Sequence, residues 1–582
     1  MYKETYEHSL LDAGMLRTQE DTVMVARKSK KNAAPPGPQR SEDSVRGAPG
    51  PKLAQSAPLD TGPSASAADA IARESLRLYN EWIKIVWGTS DREIPPKDPR
   101  FADSAWRENP VYHRIGQAYL SFCEAVDSVV NTRSDWRQRE RARFLTGILT
   151  SAIAPTNTLL GNPAALKRAY KTGGMSLFRG TQNMFSDMVH NKGMPRQVKE
   201  SAFTVGDNLA ITPGAVVFRN EMVELLQYQP TTATVQDYPT LMIVPPIGKY
   251  YFMDLAPQRS FTEYAVSRGV QFFATSWRNP EAKHGQWGLD HYVQTCLEAV
   301  DAVCSITGSK KVNILGLCAG GIITTLMLNY MVASGDKRVN TAAFGVTLLD
   351  FDAEAPIAAF HSKRLLKIAR WRSATRGILP ASNLASVFTW MRPNDLVWNY
   401  WSNNYLMGNE PPSLDIIAWS VDGTNLPGAL HAQFLDIFEH NVLLKPGALR
   451  VMGKPIDFKR IKVETFVTGA LTDHLTPWKA CYRTTQLLGG PSTFVLSNAG
   501  HIASLVNPPG NPKASYYTGP KPGPDPEKWL LGAEKHTGTW WDAWAEWILK
   551  RSGTNRTAPS QLGNKLYSPL AAAPGEYVKA KA

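Results

Sequence analysis

Residues 316 to 320 read Gly-Leu-Cys-Ala-Gly. Glycines two positions either side of a central residue permit the sharp turn that lifts a nucleophile off the end of a strand and onto the start of a helix. Here the central residue is Cys318, so the chemistry on offer is attack by sulfur on an acyl carbonyl. An apolar strand-like run, Val312 to Leu317, precedes it, and a helix-like run begins at Ile322. The dipole and free N–H groups of a helix start favour the thiolate form, and Gly321 lets the helix pack close to the sheet. A buried cysteine in a glycine-rich packing motif is the plainer alternative, and the strand-turn-helix context favours the nucleophile.

In this kind of site the base and acid follow the nucleophile in the chain. His501, in Asn-Ala-Gly-His-Ile after the run Thr493 to Leu496, is the best placed of eleven histidines. Asp473, in Thr-Asp-His-Leu-Thr-Pro after the run Val463 to Val467, is the preferred acid, with Asp350 and Asp352 as rivals one strand earlier. His474 reads equally as a channel residue or an ordinary loop residue. A developing oxyanion needs two N–H donors. Ala319 supplies one, and the loop Val-Pro-Pro-Ile-Gly-Lys after Thr240 to Val244 supplies the other; Pro245 and Pro246 carry no N–H, which leaves Ile247 or Gly248.

Short apolar runs must position these groups. They lie at Thr240 to Val244, Val270 to Ser276, Val312 to Leu317, Phe344 to Leu349, Val463 to Val467 and Thr493 to Leu496, separated by helix-length segments. That alternation implies an α/β fold with a mostly parallel sheet buried on both faces. Residues 201–349 and 461–582 are expected to form the two parts of this core. Residues 350–460 are too long for one crossover and hold five tryptophans, so they are expected to form a cap over the sheet edge. Residues 72–200 read as a helical N-terminal domain, with Leu76, Tyr79, Trp82, Ile83 and Val86 spaced as a packing face. Trp540, Trp544 and Trp547 share one helical face, and docking on the core or a partner subunit is the expectation. Residues 1–71 read as a disordered leader: between Lys31 and Ala70 there are seven prolines and no aromatic residue.

Composition sets the remaining bounds. A chain of 582 residues with 43% apolar content can build two or three domains with large cores. Five irregularly spaced cysteines suggest neither a disulfide framework nor a metal knuckle, and fit a reducing compartment. The amino terminus lacks the apolar stretch of a signal peptide, and no uninterrupted apolar run approaches about 18 residues, so a membrane span is not expected. The net charge of +13 fits a polyanionic partner, a phosphorylated substrate or solubility alone, would also attract a coenzyme A thioester, and does not choose between them. The densest basic cluster, Arg27 to Lys31, adjoins the leader and reads as a solvated tail rather than a nucleic-acid site.

Several motifs occur together and in a fixed order: the Gly-Leu-Cys-Ala-Gly-Gly elbow, Pro-Pro-Ile-Gly-Lys-Tyr-Tyr-Phe-Met-Asp-Leu (245–255), Ser-Trp-Arg-Asn-Pro (276–280), Met-Arg-Pro-Asn-Asp-Leu-Val-Trp-Asn-Tyr-Trp (391–401), Asp-Gly-Thr-Asn-Leu-Pro-Gly (422–428), Thr-Asp-His-Leu-Thr-Pro-Trp (472–478) and Gly-His-Ile-Ala-Ser-Leu-Val-Asn-Pro-Pro (500–509). With Phe-Ala-Asp-Ser-Ala-Trp-Arg-Glu-Asn-Pro (101–110) and the stretch 155–166, the chain from about residue 75 onward resembles the polyhydroxyalkanoate synthases. The resemblance implies an α/β-hydrolase core with a cap, and polymerisation of (R)-3-hydroxyacyl groups from coenzyme A thioesters with release of coenzyme A and no separate cofactor or metal. It places the catalytic roles on Cys318, Asp473 and His501, and sets Arg392 and His474 near the substrate channel. It also implies a single-subunit type, a homodimer, and a cytoplasmic location at the surface of polyester granules, where other granule-associated proteins are further partners. Ile247-Gly248 and the proline-rich leader depart from the family pattern. A cysteine hydrolase acting on esters or on the polyester, and a non-catalytic granule-surface protein, are the competing readings.

Overall fold

The computed structural model describes residues 67–95 and 97–582; the expected leader lies outside the described residues, apart from its last five positions, which open the first helix. The core is one sheet of eleven strands. Its centre comprises β3 (Thr240–Ile243), β4 (Phe272–Trp277), β5 (Val312–Leu317), β6 (Val339–Gly345), β7 (Glu464–Ala470) and β8 (Ser492–Ser497). These run parallel in the spatial order β4-β3-β5-β6-β7-β8. Antiparallel strands β1 (Gly214–Arg219), β2 (Val223–Tyr228) and β11 (Ala571–Ala572) extend one edge, and β9 (Ser515–Thr518) and β10 (Glu534–Thr537) the other. Every residue of β3, β4 and β5 is buried, as expected of central parallel strands covered on both faces.

One expected strand slides. The apolar character of Phe344 to Leu349 predicts a strand there, but the ladder covers Val339–Gly345. Val346 has φ of 43°, which takes the chain out of extended backbone, and Val346 and Leu349 are buried within a loop instead. Burial beyond the end of the ladder produced the same apolar signal.

Before the sheet lie the helices α1 (Ala67–Trp87), α2 (Pro110–Asn131), α3 (Trp136–Ala152), α4 (Pro163–Lys171) and α5 (Met175–His190). Pro110 at the first turn and Asn109, whose side chain accepts from the N–H groups of Val111 and Tyr112, start α2 sharply. The stripe on α1 is not the packing face expected: Leu76, Tyr79, Trp82, Ile83 and Val86 are exposed, while Ala70 and Ile85 are buried. Helical period fixes which residues share a face, not whether anything covers it.

Between β6 and β7 the chain forms α8 (Lys363–Arg376), α9 (Ala381–Met391), two π-helical turns (Asn394–Trp398 and Trp401–Leu406), α10 (Asp415–Val421) and α11 (Gly428–His440), following α6 (Leu289–Thr307) and α7 (Ala319–Ala333) of the core. This segment leans on the N-terminal helices through polar contacts. Tyr405 donates to Asp187 at 2.9 Å, Asn183 donates to the carbonyls of Asn404 and Asn409, and Trp401 donates to that of Asn157. After β7 come α12 (Trp478–Leu487), α13 (His501–Val506) and α14 (Trp540–Leu549).

Candidate active site

Cys318 joins β5 to α7 with φ of 49° and ψ of −121°, a conformation that side-chain-bearing residues rarely hold. Two backbone bonds fix it there: Cys318 N–H donates to Gly345 O at 2.8 Å, and Gly321 N–H donates to Cys318 O at 2.9 Å. Gly320 is required by close approach, because a Cβ there would collide with the carbonyls of Ile243 and Val244 at the end of β3. That contact draws the start of α7 against the strand that leads into the oxyanion loop.

His501 opens α13, in the loop after β8, and is buried. Its Nδ1 lies 2.6 Å from Asp473 Oδ2, so Nδ1–H donates to the carboxylate and Nε2 is left as the free ring nitrogen. Asp473 follows β7 and is held by three donors besides the imidazole: Leu475 and Thr476 N–H reach Oδ1 at 2.8 and 2.9 Å, and the Thr476 hydroxyl reaches Oδ2 at 2.7 Å. Burial opposes ionisation of Asp473, but the His501 charge, its hydrogen bond and the Thr476 donors overcome it and hold the carboxyl below its ordinary pKa. Burial would likewise lower the His501 pKa; the Asp473 carboxylate and the Cys318 sulfur, by charge and hydrogen bond, reverse this and raise it. His501 and Asp473 are therefore a bonded pair, and the Cys318 sulfur lies near enough to act on the imidazole. The rival Asp350 is engaged elsewhere, by Arg483 and by Asn441 Nδ2 at 3.0 Å, and Asp352 pairs with Arg137.

Of the oxyanion candidates, Ala319 is the first residue of α7, where the N–H has no partner within the helix. Gly248 N–H is already committed, donating to Thr424 Oγ1 at 2.8 Å. Its φ of 94° suits glycine, and a Cβ would come within 3.0 Å of the Trp419 ring. Ile247, between Pro246 and Gly248, is half-buried against the core. Arg392 pairs with Asp395 at 2.6 Å. His474 is pushed down to about 4, first by burial and then by the Arg392 charge, with a further contribution from His501. The Arg392 and His501 charges thus both act on His474, which is neutral at pH 7. Among the described residues no group of three or more His, Cys, Asp or Glu could hold a metal ion, and no helix is long and apolar enough to cross a membrane.

Comparison with known proteins identifies the family. Residues 97–265 match the model described as the poly-beta-hydroxybutyrate polymerase (PhaC) N-terminus, and residues 241–508 match the alpha/beta hydrolase fold. The chain is 45% identical over 509 residues to poly(3-hydroxyalkanoate) polymerase 2 of Ectopseudomonas oleovorans, covering 87% of this chain and 91% of that one. The chain belongs to the poly(3-hydroxyalkanoate) polymerase family. A poly(3-hydroxyalkanoate) polymerase subunit PhaC of Cupriavidus necator is 38% identical over 512 residues, 86% of each chain. Among solved structures, an esterase from Exiguobacterium antarcticum aligns over 48% of this chain and 89% of its own, with 12% identity and a TM-score of 0.29. The core of this polymerase-family chain is an α/β-hydrolase fold.

Other residues of this polymerase-family chain, outside the candidates drawn from its motifs, hold the candidate site in place. Thr476 ties Asp473 to His501, its hydroxyl lying 3.1 Å from Nδ1, and the buried Cys481 thiol donates to Thr476 O at 3.3 Å. A loop aspartate followed two and three residues later by groups whose N–H it accepts is a local turn signal that marks Thr476. Trp540 and Trp541 of α14 donate their indole N–H groups to the carbonyls of Ser504 and Leu505 at 2.7 and 2.9 Å. They anchor the helix that carries His501. No local signal marks that role, since the partners are 36 residues apart.

Proposed function

We propose that this protein is a polyhydroxyalkanoate synthase that transfers (R)-3-hydroxyacyl groups from coenzyme A thioesters to a growing polyester through an acyl thioester on Cys318. The observation that carries the reading is the strained elbow of Cys318 beside a His501 whose other face is held by Asp473. His501 Nε2 takes the thiol proton, and the thiolate adds to the substrate carbonyl while the N–H groups of Ala319 and Ile247 receive the oxyanion. Collapse of the intermediate breaks the carbon–sulfur bond to coenzyme A, and the departing thiolate takes the proton from His501. A 3-hydroxyl group then gives its proton to His501 and attacks the Cys318 thioester. An ester forms, and the proton returns to the released Cys318 sulfur. Sulfur suits this exchange because a thioester keeps the acyl group activated for ester formation, which a serine ester would not.

Arg392 and His474 line the approach to the sulfur in this reading, and the segment bearing the tryptophans shelters the acyl enzyme from water. Resemblance to the family extends the proposal to a homodimer working at a cytoplasmic granule surface.

The test supplies 3-hydroxybutyryl-CoA to the full chain and follows thiol release together with product. Stoichiometric thiol and insoluble polyester are expected, and Cys318→Ala should lower thiol release by about a thousandfold or more. Thiol accompanied by free acid alone would make the protein a hydrolase, and full polymer synthesis by Cys318→Ala would remove the covalent step.

A further inference from the structure

The loop after β3 takes its shape from the segment that covers it rather than from the sheet. Thr424 is buried, and its hydroxyl spans Ile247: it accepts Gly248 N–H at 2.8 Å and donates to Pro246 O at 3.0 Å. Trp419 donates its indole N–H to Lys249 O at 2.7 Å and lays its ring over Gly248. Asp422 completes the set. Its Oδ1 lies 2.9 Å from Lys249 Nζ and 3.2 Å from Lys581 Nζ, while Oδ2 accepts the Tyr251 hydroxyl at 3.0 Å. The Lys249 and Asp422 side chains are 3% and 7% exposed, so neither charge has water to fall back on.

These contacts join positions about 170 residues apart in the chain. Pro246 O, Gly248 N–H and Lys249 O, the backbone groups flanking Ile247, all find their partners in residues 419–424. Pro245 and Pro246 have no N–H with which to anchor the loop to the core. The direction of the Ile247 N–H is therefore fixed by groups on a different part of the fold from the Cys318 elbow. Movement of residues 419–424 away from the sheet would release three bonds around that one donor at once.

We infer that Thr424 and Asp422 are positioning residues for acyl transfer, holding the Ile247 N–H in line with the oxyanion so that the site is competent only while the covering segment is seated. The inference rests on the acyl-transfer reading above. An oxyanion donor acts when charge develops, not when substrate binds. Losing its alignment should thus lower kcat and leave KM nearly unchanged, a division that general loosening of the fold would not produce.

The experiment measures thiol release from 3-hydroxybutyryl-CoA by the full-length protein, its Thr424→Val and Thr424→Ser variants, and Cys318→Ala. Thr424→Val keeps the volume and removes the hydroxyl; kcat should fall by about 10- to 100-fold with KM within about threefold of the parent. Thr424→Ser restores the hydroxyl and should return kcat to within about threefold. A folded Thr424→Val protein, with an unchanged melting transition and kcat within about twofold of the parent, overturns the inference. Should Thr424→Val fail to fold, Asp422→Asn decides. It can still accept from Tyr251 but loses the charge facing Lys249, and a drop of about tenfold in kcat at constant KM supports the clamp, whereas an unchanged kcat or an effect on KM alone refutes it. If the parent itself releases no thiol, or Cys318→Ala releases it equally well, the acyl-transfer reading fails and the clamp with it. A parent that turns over and a Cys318→Ala that does not leave the Thr424 result to judge the clamp alone.

Discussion

Helices α14 and α1 both carry large apolar residues along one face, and they end in opposite surroundings. In α14, Trp544 has 0% exposure, and the neighbouring Trp540 and Trp547 pack on Phe466 with ring centroids 6.5 and 5.4 Å apart. In α1, Trp82 is 46% exposed and Trp87 is 77% exposed. The difference lies in what each helix meets: α14 is seated against a sheet already rich in aromatic rings, whereas α1 touches α2 through a seam that buries Ala70 and Ile85, edged by contacts of Glu74 with Arg77 and Ser128. An amphipathic pattern is thus a statement about a helix and its possible neighbours. The neighbour has to be found elsewhere in the chain.

The largest effect that would break this contrast is at its buried end. Trp544→Ala should destabilise the protein by about 3–5 kcal/mol, through lost transfer energy and the cavity left behind; a denaturant midpoint that moved by less than about 1 kcal/mol would mean that α14 is not sealed into the core. A smaller effect comes from a buried titrating group between α8 and α11. His431 has its Nδ1 2.9 Å from Ser373 Oγ and a pKa lowered to about 4, by burial first and by the Arg370 charge second. The folded chain therefore keeps this imidazole neutral while the unfolded chain takes up a proton below about 6.5. No stability is at stake above that pH, and up to about 3 kcal/mol is lost as the pH falls from about 6.5 to about 4. Relative to the parent, His431→Gln should flatten the loss of stability across that window, as read by urea midpoints at a series of pH values. The smallest effect belongs to the open face. Trp82→Ala should change the stability of the isolated chain by less than about 0.5 kcal/mol, and a shift as large as that of Trp544→Ala would show that α1 has a covering surface after all.

The placement of the candidate site residues was legible because it is tied to local backbone form. Gly316, Cys318 and Gly320 announce the turn, and Asp473 and His501 each follow a run of strand-forming residues, so the sequence order carries their spatial order. Five of the six parallel strands lie where apolar runs put them, and the sixth slipped because Val346 to Leu349 are buried beyond the end of the ladder at Gly345. The spacing of the α1 stripe predicts a packing face, yet the stripe is open, since spacing alone contains no information about coverage. The hydroxyls and indoles that steady the site were invisible for a related reason. Thr424 meets Gly248 across 176 residues and Trp540 meets Ser504 across 36, and hydrogen bonds made at such separations leave no periodic trace in the chain.

The backbone at Cys318 has one further consequence. Its φ of 49° is a setting in which glycine would rest at ease and any Cβ is under tension. Glycine at this position would relax the turn and, under the proposed covalent mechanism, remove the nucleophile, so robustness and turnover would pull residue 318 in opposite directions. A screen that rewards heat resistance alone would be drawn toward discarding the sulfur to which the proposed mechanism gives the acyl group.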